Sequence, residues 1–291
     1  MQKTKSLMNR RRLRRQALCC ALGILLAVAV LAPVLWMFMT SIMYPKDLSA
    51  TPLKLIPDQV TFSRYAQVFQ NNDVSDPACI FRYALRNSTI IAVCVTVLSL
   101  IFGTLASYSF ARLRFRGRGG LMMLVLFTYM LPPVALVIPM YNIFNRFGIL
   151  DSKFGLVILY LSFILPFIIW SMQGFFGSIS RYYEEAAAID GANRLQILIH
   201  IFFPIARPGA IATGILAFLM SWDEFFYSLV FTSGLSAKTI PLAIAEFNGK
   251  FTIDYGMISV AGIIGSLIPV LIAVVFQKYI VMGMSSGGVK E

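Results

Sequence analysis

The chain has 291 residues, of which 58% are hydrophobic and only 13% charged, against about 25% charged in an ordinary soluble domain. This excludes a conventional soluble protein, a disordered chain and a collagen. The net charge of +12 is carried in short basic blocks between long apolar runs, which reads as membrane topology rather than a nucleic-acid face. Four cysteines (Cys19, Cys20, Cys79, Cys94) are too few and too scattered for a disulfide scaffold, and three lie in apolar runs, where buried thiols are expected.

Taken in order, residues 1–16 form a basic arm holding seven of the Lys and Arg residues. Uncharged stretches at 17–43, 88–110, 121–144, 154–178 and 256–277 are each long enough to cross about 30 Å of hydrocarbon as a helix. A sixth, 208–231, contains Asp223 and Glu224. The reading is an all-α integral membrane protein of six transmembrane helices: a first helix, a five-helix core over 88–277, and a C-terminal tail over 278–291. The arm and first run could also be a secretory or twin-arginine signal, but a run of 27 residues is too long for a signal h-region, and an anchor is expected. With both termini cytoplasmic, sixteen basic residues lie inside and nine outside, in keeping with the positive-inside rule. Pro33, Pro132, Pro133, Pro139, Pro166 and Pro269 should kink their helices.

Between the fourth and fifth spans lies RYYEEAAAIDGANRLQILIHIFFPIAR, residues 181–207. Ser180 can cap a short helix whose first turn carries Glu184 and Glu185, where the helix dipole favours negative charge. Gly191 can stop it in the left-handed conformation, Asn193 can cap a second helix, and Pro204 marks the start of the fifth span. The product is a helix-turn-helix on the cytoplasmic face. Ala186, Ala187 and Ala188 keep the first helix slim enough for a groove, and Glu184, Glu185 and Asp190 offer acceptors to basic groups of a partner protein. A surface helix resting on lipid headgroups, its acids merely solvated, is the alternative reading of the same residues.

The segment EAAAIDGA from Glu185 to Ala192, with Phe203-Pro204 after it, resembles the EAA loop of ATP-binding-cassette (ABC) importer permeases. The likeness extends along the chain: FMTS ending at Ser41, Thr61 to Phe69, SYSFARLRFRG from Ser107 to Gly117, LPP at 131–133 with IPMY at 138–141, GILDS at 148–152 and GGVK at 287–290. Together these are similar to the carbohydrate-uptake permeases of the maltose transporter MalG type, binding-protein-dependent inner-membrane components with a type I (MetI-like) bundle. The resemblance implies an inner-membrane importer built from this chain, a second, MalF-like six-span permease as heterodimer partner, two copies of an ABC ATPase and an extracytoplasmic solute-binding protein that delivers a carbohydrate. It also assigns energy coupling to Glu184, Glu185, Ala186, Ala187, Asp190, Gly191 and Pro204.

No phosphate-binding GxxxxGK[ST] loop occurs, because Gly249-Lys250 is followed by Phe251. ATP and magnesium are therefore expected on the partner ATPase, and no cofactor, metal or catalytic residue on this chain. With a single histidine, His200, and no HExxH, zinc hydrolysis is not expected; His200 reads as a packed or interfacial residue of the loop. An EExxxR protease pattern fails at Ile189. In the fifth span, Trp222, Asp223, Glu224 and Tyr227 form the second unusual site, about 20–25 Å from the cytoplasmic end for Asp223. Intramembrane acids should face the interior or water. The aromatics could stack on sugar faces and the acids accept hydroxyl protons, or the group could be an interfacial belt at the span's wet end. The outer loop 233–255 is expected, by the resemblance, to reach toward the binding protein. A permease for a non-sugar solute and an ion-driven secondary carrier are the competing classes; the latter needs no ATPase dock and more often shows two related halves.

Overall fold

A computed structural model describes residues 2–52, 54–247 and 253–286, with side chains described from residue 16 to 279 within those ranges. Its elements are helical: α1 (Gln2–Ile42), α2 (Pro45–Leu48), α3 (Ser63–Gln70), α4 (Pro77–Arg112), α5 (Arg118–Met130), α6 (Pro133–Arg146), α7 (Lys153–Ser178), α8 (Tyr182–Ile189), α9 (Arg194–Ile197), a π-helical turn (Leu198–Phe202), α10 (Phe203–Trp222), α11 (Phe226–Phe231), α12 (Ile240–Glu246) and α13 (Tyr255–Ser286). Among the described residues, five stretches are long and apolar enough to cross a membrane: Gln16–Ile42, Pro77–Arg112, Lys153–Ser178, Arg194–Trp222 and Tyr255–Tyr279. A sixth crossing is available if α5 and α6 count as one broken span.

The chain divides into two compact units, 1–67 with 249–264, and 68–248 with 265–291. In the first, the segment after α1 turns back through an antiparallel bridge between Met43 and Val60. There the buried Arg64 guanidinium donates to the Met43 carbonyl and lies 3.8 Å from Asp254.

In the second unit α4, α7 and α10 form the core, around Tyr160, Ile164, Ile168, Met172, Phe176 and Phe202. Small residues let these helices approach, as is general where lipid offers no hydrophobic drive for association. A Cβ at Gly103 would meet Ile168 Cγ2 at 2.5 Å, one at Gly209 the Phe175 ring at 2.5 Å, and one at Gly214 Leu100 Cδ1 at 2.9 Å.

The helices depart from the expected spans at several points. The stretch 121–144 is not one helix, because Pro132-Pro133 separates α5 from α6 at a bend of 94°; two consecutive prolines supply no amide hydrogen to carry the ladder across. The second span starts eleven residues early, at Pro77, because the Asp76 side chain accepts from Ala78 N and caps it. The fifth span is continuous from Arg194 to Trp222 and then breaks, with α11 as a separate helix. Cys79 is buried, but Cys19, Cys20 and Cys94 are exposed on their helices, since an apolar run in a membrane protein can face lipid instead of protein. Of the tail 278–291, the part through Ser286 continues α13, and the 287–290 motif lies outside the described residues.

Candidate functional site

The loop 181–207 folds as two short helices whose turn is fixed by local chemistry. Ser180 Oγ accepts from Tyr182 N at the start of α8, and Glu184 and Glu185 occupy its first turn, at the positive end of the helix dipole. The helix ends in a Schellman motif: Ala192 N donates to Ala187 O (3.0 Å) and Gly191 N to Ala188 O (3.1 Å), with Gly191 at φ +83°. Two residues on, Asn193 and Gln196 make a reciprocal capping box, Gln196 N to Asn193 Oδ1 at 2.9 Å and Asn193 N to Gln196 Oε1 at 2.8 Å. From there α9, the π turn and α10 run on without a loop, so the second helix of the turn is the start of the span Arg194–Trp222. Pro204, in the first turn of α10, has no amide hydrogen to offer the turn before it.

The two glutamates are not equivalent. Glu184 pairs with the Arg194 guanidinium across the turn, and its side chain is only 13% exposed. Glu185 is exposed and has no ion-pair partner among the described residues. It lies between Tyr182 and Ile189 at helical spacing, which are 72% and 87% exposed. Ala187 is buried against the core, so its small size seats α8 on the bundle, whereas Ala186 is half-buried and Asp190 is exposed at the C-cap. His200 is exposed, with Nδ1 3.1 Å from the Gln196 carbonyl.

Behind the loop, Arg112 at the end of α4 donates to the carbonyls of Phe176 and Ile179 and lies over the Phe202 ring. The sequence reading did not single out this residue; its position in SYSFARLRFRG was the available signal.

The second group gathers at the break after α10. Trp222 is buried, stacked on Phe218 at 5.4 Å, and donates Nε1–H to Gly265 O at 3.2 Å. Tyr227 is buried and stacked on Phe163 at 5.7 Å. Glu224 accepts from Tyr227 N (2.8 Å) and Ser228 N (3.2 Å), capping α11. Of the four residues, Asp223 alone has an exposed side chain. The break therefore brings all four together but turns both aromatic faces into the protein. Removing the cap should be measurable: Glu224→Ala leaves two amide hydrogens without an acceptor and should lower stability by about 2 kcal/mol. Glu224→Gln, which keeps one acceptor oxygen in place of the two that Glu224 uses, should lose about half of that when both are melted in detergent.

The described part of the loop 233–255 is tied down. Asn87 Nδ2 donates to the Leu235 and Lys238 carbonyls at 2.8 and 3.1 Å, Ser88 Oγ accepts from Ile240 N at 2.9 Å, and Lys153 Nζ donates to Asn87 Oδ1 at 3.0 Å. Asp151 accepts from Ser233 N and Gly234 N. Gly249 and Lys250 lie outside the described residues.

Residues 99–286 match the family described as the binding-protein-dependent transport system inner membrane component. The trehalose transport system permease protein SugB of Mycobacterium tuberculosis is 36% identical over 280 residues, 95% of this chain and 98% of that protein. The trehalose/maltose transport system permease protein MalG of Thermococcus litoralis is 32% identical, over 92% of this chain and 94% of its own length. Among solved structures, a chain of a bacterial ABC transporter involved in the import of the acidic polysaccharide alginate superposes with a TM-score of 0.75 at 28% identity, covering 92% of this chain and 96% of that one. Profile match, full-length relatives and superposed bundle agree that this chain belongs to the binding-protein-dependent inner membrane component family, the multi-pass permease subunits of ABC importers.

Proposed function

We propose that this chain is one permease subunit of a carbohydrate importer and that 181–207 is its ATPase-coupling loop. The observation that carries the reading is the Schellman turn and capping box joining an outward-facing α8 to a helix that continues as the fifth span. A push on that turn travels into the bundle through helical backbone. Glu185 makes the charged contact with a basic group of the ATPase, flanked by Tyr182 and Ile189. Glu184 instead braces the turn through Arg194, Ala186 and Ala187 fit α8 to its seat, Asp190 and Gly191 close it, and Pro204 marks the start of the moving helix. ATP and magnesium belong to two copies of the partner ATPase, and this chain contributes no catalytic group.

A second, MalF-like six-span permease completes the pathway, and an extracytoplasmic binding protein delivers the solute. With the bent pair α5 and α6 as one crossing, both termini of this plasma-membrane protein lie on the same side, and the basic arm 1–16 supports the cytoplasm as that side. Carbohydrate as the solute is supported by the trehalose and maltose named for the relatives and the alginate named for the superposed structure. Asp223 is the pathway contact offered by this chain, and Trp222, Glu224 and Tyr227 hold the break that presents it.

The test is purification of the tagged chain from native membranes in mild detergent, with mass spectrometry of what accompanies it. A second six-span permease and an ABC ATPase are expected, and the recovered complex should hydrolyse ATP faster when its binding protein is loaded with the right sugar. Recovery of the chain alone or as a homo-oligomer, with transport intact after reconstitution, favours a self-sufficient carrier. A complex that responds to amino acids or ions but to none of a panel of sugars and polyols keeps the importer and discards the carbohydrate.

A further inference from the structure

The segment SYSFARLRFRG has no task in the coupling loop as described, yet two of its side chains meet the base of that loop. Arg112 is the last residue of α4. Its Nη2 donates to the carbonyls of Phe176 and Ile179, which lie at the C-terminal end of α7, where carbonyls lack partners within the helix and a cation meets the negative end of the dipole. The same guanidinium carbon lies 4.6 Å from the centroid of the Phe202 ring, within cation–π range. Phe202 closes the π turn between α9 and α10 and is fully buried. One turn back along α4, Tyr108 sets its ring edge against Phe202 at 5.5 Å and Phe176 at 6.1 Å between centroids. One cluster thus joins the cytoplasmic ends of α4 and α7 to the junction through which the loop continues into α10.

We infer that Arg112 is a positioning residue for transport: it locks the π turn so that α8, α9, α10, α4 and α7 are displaced as one body when the loop is pushed. The inference rests on the coupling-loop reading above. The π turn is where the backbone ladder between α9 and α10 leaves the i→i−4 register, so a push on α8 and α9 is absorbed there unless the turn is held from the side. Phe202 is the residue held, between the Arg112 guanidinium on one side and the Tyr108 and Phe176 rings on the others. Lysine cannot substitute, because Nη2 alone serves both carbonyls, and an ammonium in its place would leave no planar group to cover the Phe202 ring.

The test measures rigidity rather than survival. Spin labels are placed at Leu105→Cys on α4 and Tyr183→Cys on α8, both exposed positions, in a chain whose four native cysteines are alanine. The full complex with its partner permease and ATPase is held nucleotide-free or trapped with ATP and vanadate. With Arg112 present, the distance between labels should be the same in the two states. With Arg112→Met, and equally with Arg112→Lys, it should shift or broaden by about 2 Å or more between them, while the ATPase is recovered and hydrolyses ATP within about twofold of the labelled parent. The lysine variant gives the same reading if the methionine variant does not fold. A fixed distance in the variants of an assembled, hydrolysing complex overturns the clamp. If instead the unmodified chain recovers no ATPase, the coupling reading itself falls, and the clamp falls with it.

Discussion

Glu185→Ala combined with Gly191→Pro is expected to reduce uptake at least ~100-fold, equivalent to roughly 2.7 kcal/mol or more of lost coupling, while the protein still inserts in the membrane. Gly191 sits at φ +83°, a value the proline ring excludes, and its amide donates to Ala188 O, a bond proline cannot make. The Schellman turn would open, and α9 would lose the position from which it starts the fifth span. The single variants separate two causes. Gly191→Ala meets no heavy atom within 4 Å, so it carries only the left-handed backbone penalty of about 1–2 kcal/mol and should leave partial uptake. Glu185→Ala keeps the turn and removes only the exposed carboxylate. Uptake assays paired with ATPase recovery on the tagged chain read all three. Normal transport by the double variant, with the ATPase copurifying at full yield, would show that the loop does not couple.

Gly155→Val is expected to be the most damaging single change to stability. A Cβ there would lie 2.3 Å from the Ile149 carbonyl oxygen and 3.0 Å from Ser152 Oγ. Neither neighbour can move cheaply. Ile149 O is backbone, and Ser152 caps α7 by accepting from Gly155 N at 3.0 Å while its hydroxyl donates to Ile149 O at 2.6 Å. The substitution breaks the cap and displaces the turn between α6 and α7, with a loss of about 3 kcal/mol and a Tm lower by roughly 5–10 °C. Gly174→Ala in the same helix meets nothing within 4 Å and should melt at or slightly above the parent temperature, since alanine is the better helix former. Equal melting of the two variants in detergent would contradict the packing described at Gly155.

The contrast between these sites shows what could be read without coordinates. Gly191 and Asn193 were legible because turn and cap chemistry is local: a glycine that ends one helix and an asparagine that starts the next announce themselves within a few residues. Gln196 completes that cap, and its spacing of three from Asn193 was a signal left unused. The difference between Glu184 and Glu185 was not legible, because it depends on Arg194 folding back across the turn. The break after Trp222 was hidden for another reason. The sequence SWDEFF holds neither Gly nor Pro, and only the three-dimensional placement of Glu224 as a cap shows that a new helix begins. Trp222 and Tyr227 looked available for a ligand because a sequence gives residue types but not which way they face; each already has an aromatic neighbour, Phe218 and Phe163. At 121–144 the crossing was legible and the size of the bend, 94°, was not. Its two adjacent prolines announced a kink, but hydropathy alone made the run look continuous.

That bend has a consequence for the bilayer itself. With 13 and 14 residues, the arms α5 and α6 are each about 20 Å long at 1.5 Å per residue, so neither alone crosses a hydrocarbon core of about 30 Å. Joined at 94°, their ends are roughly 28 Å apart. The pair therefore crosses only as a chevron, each arm lying near 45° to the membrane normal and the apex pointing sideways. Since Pro132 and Pro133 donate no backbone hydrogen bond at that apex, opening or closing the chevron breaks no ladder there. Its span of the membrane would then depend on leaflet thickness, so lipids of shorter or longer acyl chain should tune this element before they disturb the straight helices beside it.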